Sequence, residues 1–494
     1  MINPHQTRIL LWTLLVSVIG AALVILAIND STALASPLPP SEPVPADLTP
    51  AVAAQVEPRI HLPIVLSHYD PSPPAFGIQF YGEQSLWDSR LDYAVDAGSA
   101  WIRWPISWAT VEPTNTVPAN YDWTMLDTTV ISATNQGVNL ILTIADQPSW
   151  AATYAMGPVT DVVELEEFVG AMVERYDGDG IEDAAGSPIV NYYELYNEPD
   201  NAELWGAENG GYGYWGHQGA EYAALMQRLY PVIKTASPDA RLVLGGLALD
   251  RFEEYGGPFD DEFLDDVLAA CQGHDCFDVM NFHYYPTFRG RWESYGADII
   301  GKTNYVRDRL TAYGFGDLLI VCTETSWAGE GSTWGSDELQ SRYTTKGFVR
   351  GLAAGLDIIV WWFIQDGDQT NMPGLLANDL QPKPSYGAYQ TMTGMLTGAY
   401  YQRALAPVET GSDQLVGYVF KRRGHRLDVV WTEDNTWYDA DDDPWLPYTV
   451  QAETVLVIDK FGNEQMAWDL DDGHNDGRIT VNVGGSPLYL VYNP

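Results

Sequence analysis

Beyond Ala75 the apolar positions fall into two alternating kinds of block. One kind is a short run, apolar on both faces: "FGIQFY" (Phe76–Tyr81), "AWIRW" (Ala100–Trp104), "NLILTI" (Asn139–Ile144), "NYYELY" (Asn191–Tyr196), "RLVLGG" (Arg241–Gly246), "VMNFHYY" (Val279–Tyr285), "LLIVCTE" (Leu318–Glu324) and "IIVWWFI" (Ile358–Ile364). The other is longer and amphipathic with helical spacing, as in "LEEFVGAMVERY", "AEYAALMQRLYPVIKTA" and "ELQSRYTTKGFVRGLAAG", several closed by a glycine as a helix C-cap would be. Strands without a polar face are buried on both sides, which a parallel sheet covered by helices provides. Eight such β/α units predict an α/β fold, a closed (β/α)8 barrel over residues 75–399, in preference to an open doubly wound sheet. No glycine-rich phosphate loop follows the first strand.

After "KPSYGAYQTMTGMLTG" the pattern changes to short alternating strands such as "LVGYVFKR", "RLDVVWTE", "ETVLVIDKFGN", "RITVNVGG" and "SPLYLVYNP". They predict a small all-β module over 400–494, a sandwich packed against the barrel. Upstream, residues 36–74 are rich in proline and read as an extended linker, with one apolar segment, "RIHLPIVLS", inside it. Residues 1–35 read as an export segment. An apolar run, Ile9 to Ile28, precedes the small-x-small pattern Ala33-Leu34-Ala35, and whether it is cleaved or retained as a membrane anchor stays open. The expected location is extracellular, either secreted or at the outer face of the membrane.

Charge narrows the partners. With 67 acidic and 25 basic residues, a formal net charge of -42, the surface repels nucleic acid and anionic membranes and favours neutral ligands over polyanions. The 3 cysteines are too few for a disulfide framework or a four-ligand zinc site. Cys271 and Cys276 can close a small loop in an oxidising compartment, and Cys322 reads as inert core.

A barrel presents its chemistry at the C-terminal ends of its strands. Taking those ends in turn gives Arg103, Asn197 with Glu198, His283 with Tyr285, Glu324, and Trp361 with Trp362. Two carboxylates, on strands four and seven, are thus expected to face one pocket. Cleavage of a glycosidic bond with retention needs such a pair about 5 to 5.5 Å apart, one protonated and one ionised. Arg103 and the Tyr285 hydroxyl are the groups expected to hold Glu324 charged, unless Arg103 pairs with a structural acid such as Glu112. Glu198, without a cation of its own, is expected to have its pKa raised by burial and neighbouring negative charge. His283 is either a site residue or a satisfied core histidine. Only one of Trp361 and Trp362 can face the pocket, since successive strand residues point to opposite faces.

"WIRWPISWATVEP", "YELYNEPD", "NFHYYP", "IVCTETSW" and "VWWFIQD", in that order over about Phe76 to Gly398, resemble the clan of barrel glycoside hydrolases with catalytic glutamates on strands four and seven. Within that clan they look most like the β-xylosidase and α-L-iduronidase family and the cellulase-like group. The resemblance implies a retaining O-glycosyl hydrolase acting on a neutral, plant-type oligo- or polysaccharide. It implies Glu198 as acid/base, Glu324 as nucleophile and Asn197 as donor to a sugar 2-hydroxyl. The sequence departs from the cellulase pattern at strand three, where "LTIADQPSWA" offers Asp146 and Gln147. The readings left beside hydrolysis are a transglycosylase and a noncatalytic carbohydrate-binding surface protein.

Further aromatic candidates for the sugar site are Trp150 and Trp327, within these motifs, and Trp205, Tyr212 and Trp215 in the glycine-rich stretch Leu204 to Gly219. Two kinds of acidic run, "DGDGIED" (Asp177–Asp183) and "DADDDPW" with "DLDDGHNDG", resemble parts of a calcium loop without its full ligand series. The chemistry itself needs no cofactor and no metal.

Overall fold

The computed structural model describes residues 75–81, 87–152, 157–202, 214–332, 335–367, 371–433 and 444–493. The export segment, the linker, Trp205, Tyr212 and most of "DADDDPW" lie outside the described residues.

Eight parallel strands close a barrel in sequence order. They are β1 (Phe76–Gln79), β2 (Trp101–Ser107), β3 (Asn139–Ala145), β4 (Tyr192–Asn197), β5 (Arg241–Gly246), β6 (Val279–Tyr284), β7 (Leu319–Thr325) and β8 (Ile358–Trp361). β8 returns to pair with β1. The helices that follow them in turn are α1 (Trp87–Asp96), α2 (Thr124–Asn135), α3 (Val162–Arg175), α4 (Gly219–Ala236), α5 (Phe263–Cys271), α6 (Ile299–Tyr313), α7 (Asp337–Ala353) and α8 (Pro384–Leu396). Local chemistry sets their ends. The Asp161 carboxylate caps α3 by accepting from the Glu164 N–H, Ser336 caps α7 through the Leu339 N–H, and α6 stops at Gly314 in the left-handed conformation.

Every second strand residue points into the barrel, so its interior is built in layers. The lowest is apolar: Trp101, Ile141, Val243, Val279, Val321, Ile358 and Val360 form one buried cluster. Two residues further along their strands, the same alternation brings Gln79, Arg103, Thr143, Glu194, Asn281 and Thr323 inward, all buried. β2 runs on to Ser107. Arg103 therefore does not end its strand, as the sequence suggested, but sits inside the barrel in this polar layer.

The C-terminal region is an antiparallel six-stranded sheet in the order β14-β13-β16-β11-β10-β9, faced by a two-stranded ribbon, β12-β15. Its strands are β9 (Ala399–Ala404), β10 (Leu415–Arg422), β11 (His425–Thr432), β12 (Leu446–Gln451), β13 (Thr454–Asp459), β14 (Glu464–Trp468), β15 (Arg478–Val483) and β16 (Leu488–Tyr492). Val419, Val430, Tyr448 and Ile479 pack between sheet and ribbon. From the other face Tyr418, Phe420, Trp431 and Tyr489 join the same core as Phe348 of α7. Arg350 of α7 ties the two parts: it pairs with Asp298 of the barrel at 2.8 Å and with Glu433 just past β11 at 2.6 Å, its guanidinium over the Trp431 ring.

Cys271 and Cys276 form a disulfide at the end of α5, and Cys322 is free and buried.

Candidate active site

Two local departures from regular strand geometry deliver the carboxylates. On β4, Tyr192 and Glu194 point inward, and alternation would turn Asn197 away. Tyr196 instead adopts a positive φ of 65° and buries its ring against Trp215 and Tyr222, so that Asn197 and then Glu198, itself at φ 47°, both reach the pocket. On β7, Thr323 points inward and Glu324 should point out. The pairing with β6 skips a residue, Phe282 facing Cys322 but His283 facing Glu324, and this bulge brings Glu324 to the pocket beside Thr323.

Arg103 organises the layer beneath. Its Nε and Nη2 donate to the two oxygens of Glu194 at 2.7 Å each, Nη2 also reaches the Asn197 side-chain oxygen at 2.8 Å, and Nη1 reaches Gln79 at 2.9 Å and Glu324 at 2.7 Å. Glu194 also accepts from Thr143 (2.7 Å), the Gly246 N–H (2.9 Å) and Asn281 (3.0 Å). Burial alone would push the Glu194 carboxyl up, but the Arg103 cation and these donors hold it below the ordinary value. The structural acid of Arg103 is therefore Glu194. Glu112 instead accepts from the Trp108 indole at 2.9 Å.

Glu324 receives one donor on each oxygen, Arg103 on Oε1 and the Tyr285 hydroxyl on Oε2 at 2.8 Å, and is 5 % exposed. The surroundings of Glu198 are different. Burial first, then the charge of Asp250, raise its pKa to about 8, more than Arg103 and Lys302 lower it. One oxygen of Glu198 lies 3.0 Å from His283 Nδ1, which is 3.5 Å from Glu324 Oε2. One oxygen from each glutamate and a His283 nitrogen all lie within 4.8 Å of one another. Burial lowers the His283 pKa to about 4, so the ring is neutral between the two carboxyls. Its place depends on Gly246, where an added Cβ would sit 2.2 Å from His283 Nε2.

Asn197, its oxygen taken by Arg103, has its amide nitrogen left to donate. Trp362, the residue just past β8, turns inward, continuing the Ile358–Val360 alternation, and its ring meets Tyr285 edge-on at 5.8 Å. Trp361 points the other way, is fully buried, and donates its indole N–H to the Pro373 carbonyl at 2.9 Å. Three other aromatic candidates also pack into the body of the fold. Trp327 is buried against Tyr343, Trp215 against Tyr196 and Tyr222, and Trp150 meets the Trp108 ring edge-on at 5.2 Å. Of the strand-three pair, Asp146 accepts from Ser107 at 2.6 Å, and Gln147 is buried.

Several site groups escaped a reading confined to strand ends. Glu194 and Gln79 lie one layer lower. Tyr81 follows β1, and its hydroxyl lies in the field of Glu324, Arg103 and both other glutamates. Lys302 comes from α6: fully buried, it donates to the carbonyls of Ala248 and His283 (2.7 Å) and stands 3.7 Å from Asp250. A lysine in the first turn of a helix carries no signal of this in sequence.

Apart from the glutamate–histidine group, two clusters among the described residues gather three candidate metal ligands: His217 with Glu253 and Asp260, and Asp177 with Asp179 and Asp183. In the second, all three carboxylates already accept nearby backbone N–H groups. In "DLDDGHNDG" the Asp469 oxygens take the Gly477 and Arg478 N–H groups, which makes it a turn clamp.

No family model and no curated protein matches the chain, whereas solved structures do. A family 39 glycoside hydrolase from the gut symbiont Bacteroides cellulosilyticus WH2 is 20% identical, over 85% of this chain and 81% of its own, with a TM-score of 0.65. A monomeric beta-xylosidase from Caulobacter crescentus CB15 is 15% identical, over 84% and 95%, with a TM-score of 0.58. A GH30 endoxylanase from Clostridium papyrosolvens C71 is 13% identical, over 85% and 96%, with a TM-score of 0.53. At such identities the likeness establishes the fold: this chain shares the (β/α)8 barrel of those glycoside hydrolases.

Proposed function

We propose that the protein is a retaining glycoside hydrolase with Glu324 as nucleophile and Glu198 as general acid and base. The observation that carries this is the opposite treatment of two carboxyls in one pocket. Arg103 and Tyr285 donate to Glu324, while Glu198 has its pKa raised to about 8 with no cation in contact among the described residues. With one oxygen of each glutamate within 4.8 Å of the other, the pair is close enough for the direct attack of a retaining enzyme.

In the first step Glu324 attacks the anomeric carbon while Glu198 gives its proton to the departing oxygen. In the second, Glu198, now ionised, takes a proton from the water that cleaves the glycosyl–Glu324 ester. Neutral His283 fixes the Glu198 carboxyl without competing for its proton. The Asn197 amide nitrogen is placed to donate to a sugar hydroxyl, and the Trp362 ring to wall the sugar.

The named xylosidase and endoxylanase among the similar structures favour a neutral, plant-type sugar at the cleaved position. The apolar run Ile9 to Ile28 and the Cys271–Cys276 disulfide favour export to an oxidising compartment. The test is hydrolysis of an aryl-glycoside panel by the wild type, Glu198→Gln and Glu324→Gln, with the product anomer followed by NMR. Retention, abolished in Glu324→Gln, is expected; inversion, or undiminished turnover in both variants, excludes the mechanism.

A further inference from the structure

A cavity of about 570 Å³ opens between the loops after β5 and β6, lined among others by Asp250, Arg251, Tyr255, Phe288, Arg291 and Trp292. Its volume falls within the range of roughly 300 to 1,000 Å³ usual for small-ligand sites. The loop that carries Asp250 and Arg251 is tied to the Glu198 side of the centre. Asp200, two residues past Glu198, clamps the Ala248 and Leu249 N–H groups at 3.1 and 2.8 Å, and this sets the position of Asp250 and Arg251. Both are close enough to Glu198 for their charges to act on it. Gly257 locks the loop, since a Cβ there would collide with the Arg251 carbonyl. As Glu198 protonates the departing oxygen, the unit beyond that oxygen lies on this side.

The cavity's polar groups do not cancel. Asp250 has Lys302 at 3.7 Å, and Arg291 has Glu254 at 3.8 Å with its guanidinium stacked 3.9 Å from the Phe252 ring centre. Arg251 has no ion pair or hydrogen bond among the described residues. A guanidinium in the field of Asp250 and Glu198 but with no hydrogen bond of its own among the described residues, beside several aromatic faces, matches a sugar ring bearing a single carboxylate, which arginine binds in two-pronged fashion. A phosphate or a run of acidic units would meet Asp250 and Glu254, in a protein already at -42.

We propose that this cavity is the leaving-group subsite and that it takes a hexuronic acid unit, its carboxylate paired with Arg251. The assignment rests on the glycoside hydrolase reading for the word subsite, and on the cavity alone for the ligand.

The test uses the full chain and two probes that differ only in the carboxylate, methyl glucuronide and methyl glucoside, titrated by calorimetry. The glucuronide is expected to bind at least tenfold more tightly. Arg251→Gln should erase the difference, and Arg251→Lys should restore part of it. In parallel, oligosaccharides with a uronate or a neutral unit on the leaving side should differ at least tenfold in kcat/KM for the wild type and not for Arg251→Gln. Equal binding of the probes, or a preference that survives Arg251→Gln, overturns the proposal even where aryl glycosides are hydrolysed. Uronate binding without any glycosidase activity would instead overturn the hydrolase reading and with it the subsite role.

Discussion

Replacing Glu198 by glutamine keeps its shape and removes a carboxyl whose pKa the fold raises from 4.5 to about 8. A group raised in this way weakens the folded state as it ionises. The cost is absent below the unfolded value near 4.5, grows as pH rises through the window, and is complete above about pH 8. At about 1.4 kcal/mol per pH unit the full shift corresponds to roughly 5 kcal/mol, of which about 2 to 4 kcal/mol should be realised. The reduction reflects the 14% of the Glu198 side chain that remains in contact with solvent. For a chain of this size each kcal/mol moves the melting temperature by about 1 °C. Glu198→Gln should therefore melt with the wild type at pH 4.5 and about 2 to 4 °C above it at pH 9, by calorimetry across that range. Its kcat/KM on substrates with poor leaving groups should fall by about 10²- to 10⁴-fold. Wild-type kcat/KM should decline above pH 8, where the acid is lost. A melting advantage that is constant with pH, or reversed, would refute the reasoning.

Arg103→Ala strands Glu194 and Glu324 without their cation, and should cost about 3 to 5 kcal/mol in urea unfolding; Arg103→Lys should rescue little, since one ammonium cannot span both carboxylates. Tyr285→Phe removes one donor to Glu324 and should lower kcat about 10- to 100-fold, with the melting temperature changed by no more than a degree or two. Gly246→Ala drives a methyl group into His283 and should cost about 1 to 3 kcal/mol and most of the activity together; a fully active, equally stable variant would show that His283 does not hold Glu198.

The eight barrel strands were legible because each is apolar on both faces, a pattern that burial between a core and a helix layer imposes. β9, β12 and β14 were not. Their residues alternate with exposed polar positions or lie largely in solvent, as in "AYYQRA" and "EQMAW", so no apolar run marks them. The paired glutamates could be read because they follow apolar runs directly. Tryptophans could not be sorted by the same reading, since Trp215, Trp327 and Trp361 look like sugar platforms in sequence and only their neighbours show them to be core. Glu194 shows the limit most clearly. It sits inside "NYYELY" like an error in a strand, and its meaning lies in Arg103, Thr143, Gly246 and Asn281, which three other strands and a backbone N–H bring to it.

Arg350 has a consequence for anyone who would isolate the barrel. It is buried between a barrel aspartate and Glu433, against the face of the Trp431 ring, so the wall that α7 turns toward the C-terminal sheet is interior in chemical character. Cutting the chain after α8 would take the Trp431 ring from Lys346 and Arg350 and the Tyr489 hydroxyl from Thr345, and would halve the counter-charge of this arginine. The sheet is thus a fixed part of the barrel's masonry, and the smallest piece able to carry the site in a folded state extends to β16.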